Sequence, residues 1–501
     1  MHFFLDKLKG MIYPIFSRLS YFDPAPFEEE EKMREKQATV GLFDEYYLAM
    51  AWSPSTNQLS KELDQIDRLL DEMPQILDEV QADLNGHLRA VSASAAGRSA
   101  EVTAEQALRC AILRQLRQFS YRTLASEIDI TPIYRKFTRF YGASIPCFTT
   151  LERAIKTISA QTMDQIHDEI VRLSLRKKVE KGQAVRHDTT VVATDISYPT
   201  DAKLLNDCVR VITRLAGRLC EAAPEIPLSF CNHTRSAKKQ AYRIAMAKGN
   251  HAEEARAKSY QVLLKVQRKT REEAEAMLEA IRSRSKVAMR IEVRGWVEEM
   301  EKVLPLAKQV YDQAERRVLR DEKVPVDEKR VSIFETHTDI ICRGKKSSKT
   351  EFGHKVDFAT GRSGLVLRYE VLQGNPGDNE VLERALDDHI ALFGKAPEKL
   401  TADRRYFSSD NERIAKEKGV QQVALPKPGR LSELRKSLQN APWFKKLLRW
   451  RAGVEGNLST LLRSFGLKRC LWKGWESFKA YVGLGVMTYN LRLLAGHLAK
   501  V

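Results

Sequence analysis

Three carboxylates occupy positions from which acidic side chains can do chemistry. Asp188 lies in Val185-Arg186-His187-Asp188-Thr189-Thr190-Val191, where β-branched residues predict a strand. Asp403 closes the short run Leu400-Thr401-Ala402, and Glu455 lies on a predicted helix in Arg451-Ala452-Gly453-Val454-Glu455-Gly456. They are far apart in the chain, so only the ends of stiff strands and helices can hold them in one place. Carboxylate oxygens are the ligands that hard divalent cations take. At a phosphodiester, a pair of Mg2+ ions about 3.5–4 Å apart both activates a nucleophile and stabilises the leaving oxygen. A lone Asp at a strand end is by itself more often a turn former or helix cap. Asp195 and Asp201 replace Asp188 if the strand register differs, because a slip of one residue exchanges the faces of a strand.

The elements that must carry these residues follow from pattern. A strand over 183–188, with β-rich residues on to 194, carries Asp188. β texture returns at 331–334, 339–342, 352–359 and 365–372, the last two flanking the turn Thr360-Gly361-Arg362-Ser363-Gly364 as in an antiparallel meander. A helix over 379–393, a strand over 399–402 ending at Asp403, a helix over 409–418 stopped by Gly419 and a strand over 420–425 follow. Strands alternating with helices in this order predict a mixed sheet flanked by helices. Beyond Pro426-Lys427-Pro428-Gly429, helices are predicted at 431–439, 442–465 and 475–498.

Outside this α/β part the chain is helical. Apolar residues from Leu59 to Leu84 recur at spacings of four and three, with Pro74 set to kink the helix. Short helices over 104–118, from Ser120, from Thr131-Pro132 and from about Thr149 interleave Arg114, Arg117, Arg122, Arg135, Lys136, Arg139 and Arg153 with Phe119, Tyr121, Tyr134, Phe137 and Tyr141. That texture suits a helix-turn-helix DNA reader, or else a basic bundle whose aromatics are core. Long charged helices from 203 to 329 form an all-α insertion whose basic faces either track a DNA backbone or are simply solvated. The resulting division is a 1–100 helical region, 101–180 DNA-binding helices, a core of 181–202 with 330–470, the 203–329 insertion and a 471–501 C-terminal helix.

Composition narrows the classes. At 501 residues, 43% hydrophobic and 30% charged, the chain is a globular protein of more than one core. A net charge of +17 favours a polyanionic partner through counterion release. The seven cysteines are odd in number and include no C-x-x-C pair, which speaks against a zinc site or a disulfide framework. Asp6, Lys7 and Lys9 interrupt the N-terminal stretch, and no run of about 18 apolar residues exists, so a soluble intracellular protein without a membrane partner is expected. No G-x-x-x-x-G-K-[ST] loop is present, so no nucleotide cofactor is expected.

Five stretches raise the carboxylates above chance. They are His187-Asp188-Thr189-Thr190-Val191-Val192 running to Tyr198-Pro199-Thr200-Asp201, His337-Thr338-Asp339-Ile340-Ile341, Phe352-Gly353-His354-Lys355-Val356, Gly374-Asn375-Pro376-Gly377-Asp378, and Arg451 to Gly456. In this order they resemble insertion-sequence DDE transposases close to the ISNCY type, over roughly Ala104 to Ala495. The resemblance implies an RNase H-like α/β core, interrupted by the all-α insertion and preceded by an all-α DNA-binding region. It implies that Asp188, Asp403 and Glu455 are the catalytic metal ligands, for two Mg2+ ions with Mn2+ as substitute. Arg451, Arg463, Arg404, His354 and Lys355 are the supporting or DNA-contacting residues it suggests. The implied partners are the terminal inverted repeats and target DNA, bound by a homodimer in a prokaryotic cytoplasm. Two departures stand out: Arg405 occupies a position where relatives have Gly, and Leu448 and Leu462 occupy the Tyr and Lys positions of the last-helix signature, leaving Arg463 for the Lys role. A DNA-binding descendant without turnover, or a metal nuclease without strand transfer, are the alternative expectations.

Overall fold

The computed structural model describes residues 35–37, 54–91, 102–342 and 350–500; most of the expected 1–100 region lies outside them. Helices α1 (Pro54–Asp71) and α2 (Ile76–Val91) replace the single predicted helix, with the break at Pro74, whose ring and missing N–H cannot continue the ladder. Then come α3 (Ala104–Arg117), α4 (Tyr121–Ile130), α5 (Pro132–Phe137), α6 (Phe148–Thr157) and α7 (Ala160–Arg176). Helix α3 begins with a reciprocal capping box between Thr103 and Gln106 and is buried from Ala104 to Leu116. Arg109, 3% exposed on this helix, is matched by Asp67, Asp71 and Glu105, as a buried guanidinium must be.

Strand β1 (Ala184–Ala193) leads into the helices α8 (Asp201–Ala222), α9 (Thr234–Met246), α10 (Ala252–Arg282), α11 (Ser285–Ala288) and α12 (Ile291–Leu319). These have a core of their own, built on residues such as Leu205, Ile212, Leu263, Met277 and Val310. Their outer faces carry ladders of oppositely charged pairs four residues apart, including Glu254 with Lys258 and Arg294 with Glu298, the pattern of solvated helix faces. Both ends of the segment are clasped. Asp201, 7% exposed, accepts from Gln313 Nε2 (2.8 Å) and Arg317 Nη1 (2.8 Å), and Gln313 in turn accepts from the Arg330 N–H (2.7 Å).

The sheet is completed by β2 (Asp339–Ile341), β3 (Glu351–Thr360), β4 (Val366–Val371), helix α13 (Leu382–Phe393), β5 (Lys399–Ala402), helix α14 (Ser409–Glu417) and β6 (Gln422–Ala424). Helices α15 (Glu433–Asn440), α16 (Pro442–Ala452), α17 (Val454–Ser464) and α18 (Trp475–Leu498) follow. The predicted strand at 331–334 is irregular instead. Strand order is β2-β3-β1-β5-β6, with β4 pairing the far half of β3 alongside β2. β2, β3, β4 and β1 pair antiparallel, whereas β1, β5 and β6 run parallel, giving a mixed sheet with helices on both faces. A Cβ on Gly353 would lie 2.1 Å from the Val192 carbonyl oxygen, so only glycine lets β3 approach β1 here.

One face of the sheet shares a continuous core with the N-terminal helices. Val192, Val356 and Phe358 pack with Met163 and Ile166 of α7 and with Leu484, Met487 and Leu491 of α18. Helix α18 is apolar all round because it is enclosed by α7, α1 and α3. Its Asn490 side chain accepts the Val366 N–H (2.9 Å) and donates to the Val366 carbonyl (2.7 Å), satisfying the end of β4. The opposite face carries α13 and α14 over Val185, Leu400 and Ala402. Among the described residues, no helix is long and apolar enough to cross a membrane.

Candidate metal centre

In the parallel pair β1–β5, Arg186 lies opposite Thr401 and His187 opposite Ala402. The ladder ends there, and the next residue on each strand is Asp188 and Asp403. Asp403 keeps extended backbone (φ −66°, ψ 160°), so side chains continue to alternate and both carboxylates leave the same face of the sheet. On that face α16 packs over β5 and β6 while α17 packs over β1. Arg451 lies in the last turn of α16 and sets Nη1 3.8 Å from Asp188 Oδ2; Glu455 stands exposed in the first turn of α17. Asp188 and Asp403, both half-buried, each take a neighbouring backbone N–H on Oδ1, from Thr189 (2.8 Å) and Arg404 (2.7 Å), which fixes their rotamers.

The helix predicted over 442–465 is broken, and Arg186 supplies the reason. Its guanidinium donates to the Trp450 carbonyl (2.6 Å), the acceptor an unbroken helix would offer to residue 454. The same group donates to Thr360 Oγ1 (2.9 Å) and lies 5.0 Å from the Trp450 ring centroid. A Cβ at Gly453 would come within 2.9 Å of Arg186 Nη1, so the junction residue must be small. Burial lowers the Arg186 pKa. The break separates Arg451 and Glu455 onto two helices, and Arg451 turns to Asp188 rather than to Glu455.

Beneath the two aspartates, on the opposite face, lies a carboxylate that pattern reading overlooked. Asp357 of β3 is fully buried and accepts from the Tyr406 hydroxyl (2.6 Å) and from Arg368 Nη1 (2.9 Å). His187, next to Asp188 in β1, sets Nδ1 3.5 Å from Asp357 Oδ2, an electrostatic contact longer than a formed hydrogen bond. Burial alone would push the Asp357 carboxyl up, yet His187, Arg368 and Tyr406 hold it below the ordinary carboxylate range. Burial, with Asp357 beside it, pushes the Tyr406 phenol well up. Tyr406 belongs to the 3-10 turn that Asp403 caps, so this buried carboxylate ties that turn to the strand carrying Asp188. The available signal was an Asp inside the apolar strand Val356-Asp357-Phe358, where an unmatched charge would be costly. A cavity of about 270 Å³ on this face, lined by His187, Arg368, Tyr369 and His389 among others, does not include the three carboxylates.

The remaining predicted residues fall into two groups. Arg404, Arg405 and Arg463 are exposed, as a DNA-contacting role requires. Arg405 is not in the left-handed region, and its 3-10 turn is open to any residue, so the missing glycine leaves the turn intact. Leu448 and Leu462 pack against apolar clusters, which accounts for their departure from a polar signature. His354 and Lys355, in contrast, are buried. His354 Nδ1 meets Asp339 Oδ2 (2.9 Å) and its Nε2 meets His337 Nδ1 (2.7 Å), while His337 Nε2 meets Glu335 (2.9 Å). Lys355 donates to Asp378 (2.9 Å), which also accepts from the hydroxyl of Thr189 (3.3 Å). The motif residues thus frame the strands around Asp188 rather than face solvent. Asp201 is committed to the clasp on the helical segment and Asp195 to Arg469 (3.1 Å), so Asp188 is the acid of this stretch that the register sets next to the Asp403 position.

The expected DNA-reading cations of 101–180 are largely engaged within the fold. Arg139 pairs with Asp67, Asp71 and Glu105, Lys136 with Asp64, Arg117 with Glu62 and Arg135 with Asp129, while Arg114 is buried over the Tyr121 ring. Phe137 and Tyr134 are core. Arg122 and Arg153 stay exposed.

Chemically, Asp188 and Asp403 offer half-buried carboxylate oxygens with fixed rotamers on one face of the sheet, the donors that hard divalent cations take, while the ligand atoms of Asp188, Asp403 and Glu455 do not all lie within 4.8 Å of one another. A family model described as the transposase DDE domain matches residues 320–491. The match takes in Asp403 and Glu455 and begins after the helical segment that separates them from Asp188. No curated protein and no solved structure matches the chain.

Proposed function

We propose, from the premise that this chain is an insertion-sequence DDE transposase and so an enzyme that cleaves and joins DNA, that Asp188, Asp403 and Glu455 hold its divalent cations, two Mg2+ ions with Mn2+ as substitute, in an RNase H-like core. What carries this assignment is the β1–β5 ladder, which ends in step one residue before both aspartates, beneath the α16–α17 junction. The antiparallel-then-parallel strand order supports the RNase H-like core.

Once bound, such cations lower the pKa of water and offset charge at a phosphodiester. The chain's own residues hold and orient. The Thr189 and Arg404 N–H groups fix the two aspartates, and Arg451 sits where it steadies Asp188 or clamps a phosphate. Exposed Arg404, Arg405, Lys445, Lys446 and Arg449 line the DNA path with sequence-neutral contacts. Helices α4 and α6, with Arg122 and Arg153, read the terminal inverted repeats. Water attack at the element end frees a 3′-hydroxyl, which then attacks target DNA, both in-line displacements. A homodimer holds the two ends, acting in the cytoplasm on the nucleoid.

The test is Mg2+- or Mn2+-dependent cleavage and strand transfer on DNA carrying the ends of the element that encodes this chain, comparing wild type with Asp403→Asn. The expected result is activity that falls to background in the variant while end binding persists. Wild-type protein that binds the ends and cuts under no divalent cation overturns the catalytic assignment in favour of a DNA-binding descendant.

A further inference from the structure

The helical segment between β1 and β2, which carries none of the three carboxylates, brings together a thiol, an imidazole and a carboxylate. Cys231 and His233 lie in the irregular stretch before α9, and Glu273 comes from the middle of α10. One ligand atom from each lies within 4.8 Å of the other two. The Cys231 N–H donates to Glu273 Oε2 (3.0 Å), and His233 Nε2 lies 3.3 Å from Glu273 Oε1. The stretch is held on both sides. Ile226 is buried and Leu228 and Phe230 pack against the segment's core, while Asn232 Oδ1 accepts from Thr234 N and Oγ1 (3.0 and 2.6 Å). His233 opens α9 without using its ring to cap it, which leaves the imidazole directed at Glu273.

We propose that Cys231, His233 and Glu273 form a zinc site that fastens the start of α9 to α10. Thiolate and imidazole together select a borderline-soft metal over Mg2+ or Ca2+, and the carboxylate is an accepted third ligand. Three protein ligands leave a fourth tetrahedral position for water. Bond lengths of about 2.0–2.3 Å set ligand atoms about 3.3–3.8 Å apart in a tetrahedral site, so closing from 4.8 Å takes only side-chain rotation at the exposed Cys231 and half-exposed Glu273. Binding expels the thiol proton of Cys231 to solvent and replaces the His233–Glu273 contact with two metal bonds. The site is independent of the proposal for Asp188, Asp403 and Glu455. A C-x-H pair with its third ligand forty positions on carries no recognisable spacing, which is why the cysteine pattern argued against zinc.

The test uses the full-length chain, stripped with chelator and titrated with Co2+ in excess Mg2+, then back-titrated with Zn2+. One equivalent of Co2+ is expected to give a thiolate-to-metal charge-transfer band and intense tetrahedral visible bands, both abolished by stoichiometric Zn2+. Oxygen-only binding at the acidic triad gives neither. Cys231→Ser is expected to remove the charge-transfer band and weaken Zn2+ binding at least tenfold. Glu273→Gln keeps the band with reduced affinity, and both variants retain the wild-type circular dichroism spectrum because Cys231 is exposed and Glu273 half-exposed. Absence of the band in wild type, or its persistence at full strength in Cys231→Ser, overturns the proposal.

Discussion

The hydrogen bond from Tyr406 to Asp357 offers a sharp test of how the two aspartates are held. Tyr406→Phe deletes one hydroxyl at 2.6 Å from a carboxylate that has no exposure to solvent. A hydrogen bond to a charged, buried acceptor contributes about 1.5–3 kcal/mol, and the orphaned Oδ1 has no water to replace it. Asp357→Asn removes the charge but leaves an amide of the same shape. In a double-mutant cycle, read from urea unfolding of the sheet-containing transition, the pair is expected to couple by about 0.7–1.5 kcal/mol, the charge-dependent half of the bond, because the Asn amide oxygen still accepts from Tyr406. A functional arm follows from position. Tyr406 shares the turn that Asp403 caps, so about half of the Tyr406→Phe loss reaching Asp403, about 0.75–1.5 kcal/mol, raises the Mg2+ concentration for half-maximal cleavage about 3- to 13-fold. Additivity within about 0.5 kcal/mol, together with unchanged Mg2+ demand, would refute the idea that the buried carboxylate positions the site.

Two further outcomes are expected. Arg451→Ala leaves the urea midpoint within about 0.5 kcal/mol of wild type, because a half-exposed pair at 3.8 Å is weak, yet lowers cleavage about 10- to 100-fold by removing a charge beside Asp188; equal activity would remove Arg451 from the site. His389, whose Nε2 donates to the Gly182 carbonyl and whose ring stacks on Phe393, is held by burial at about 4. The unfolded chain takes up this proton below about 6.5 and the fold does not until about 4, so stability is unaffected above that window and falls as pH drops through it, by about 3 kcal/mol in all. Unfolding midpoints measured from pH 7 to 4.5 should fall less steeply in His389→Gln; parallel profiles would sink the assignment.

Legibility in the sequence tracked how local the determining physics is. The helix over 475–498 and the strand over 399–402 agree with their predicted limits, because periodicity and turn residues act within a few positions. Asp188 and Asp403 were marked by their strands, and the β1–β5 register now sets them side by side. The break at Gly453 was hidden, since it depends on Arg186, a residue of a distant strand, capturing the Trp450 carbonyl. The basic residues Arg117, Lys136 and Arg139 suit either a DNA reader or a basic helical bundle in sequence; their partners Glu62, Asp64 and Asp67 come from α1, and no local pattern links the two. His354 and Lys355 carried a motif signal that proved to concern burial rather than exposure.

The clasp of Asp201 on Gln313 and Arg317 bears on how the chain finds its fold. Strand β1 must pair with β3 across the whole helical segment, a long-range closure of the kind that slows folding. With that segment unstructured the closing loop runs to well over a hundred residues; with Asp201 already joined to Gln313 and Gln313 to Arg330, the effective loop shrinks to roughly thirty. The entropy of closure differs by about 1.5 kcal/mol between these cases. The helices α8 to α12 have a core of their own, so once formed they act as a staple that shortens the closure on which the β1–β3 pairing depends.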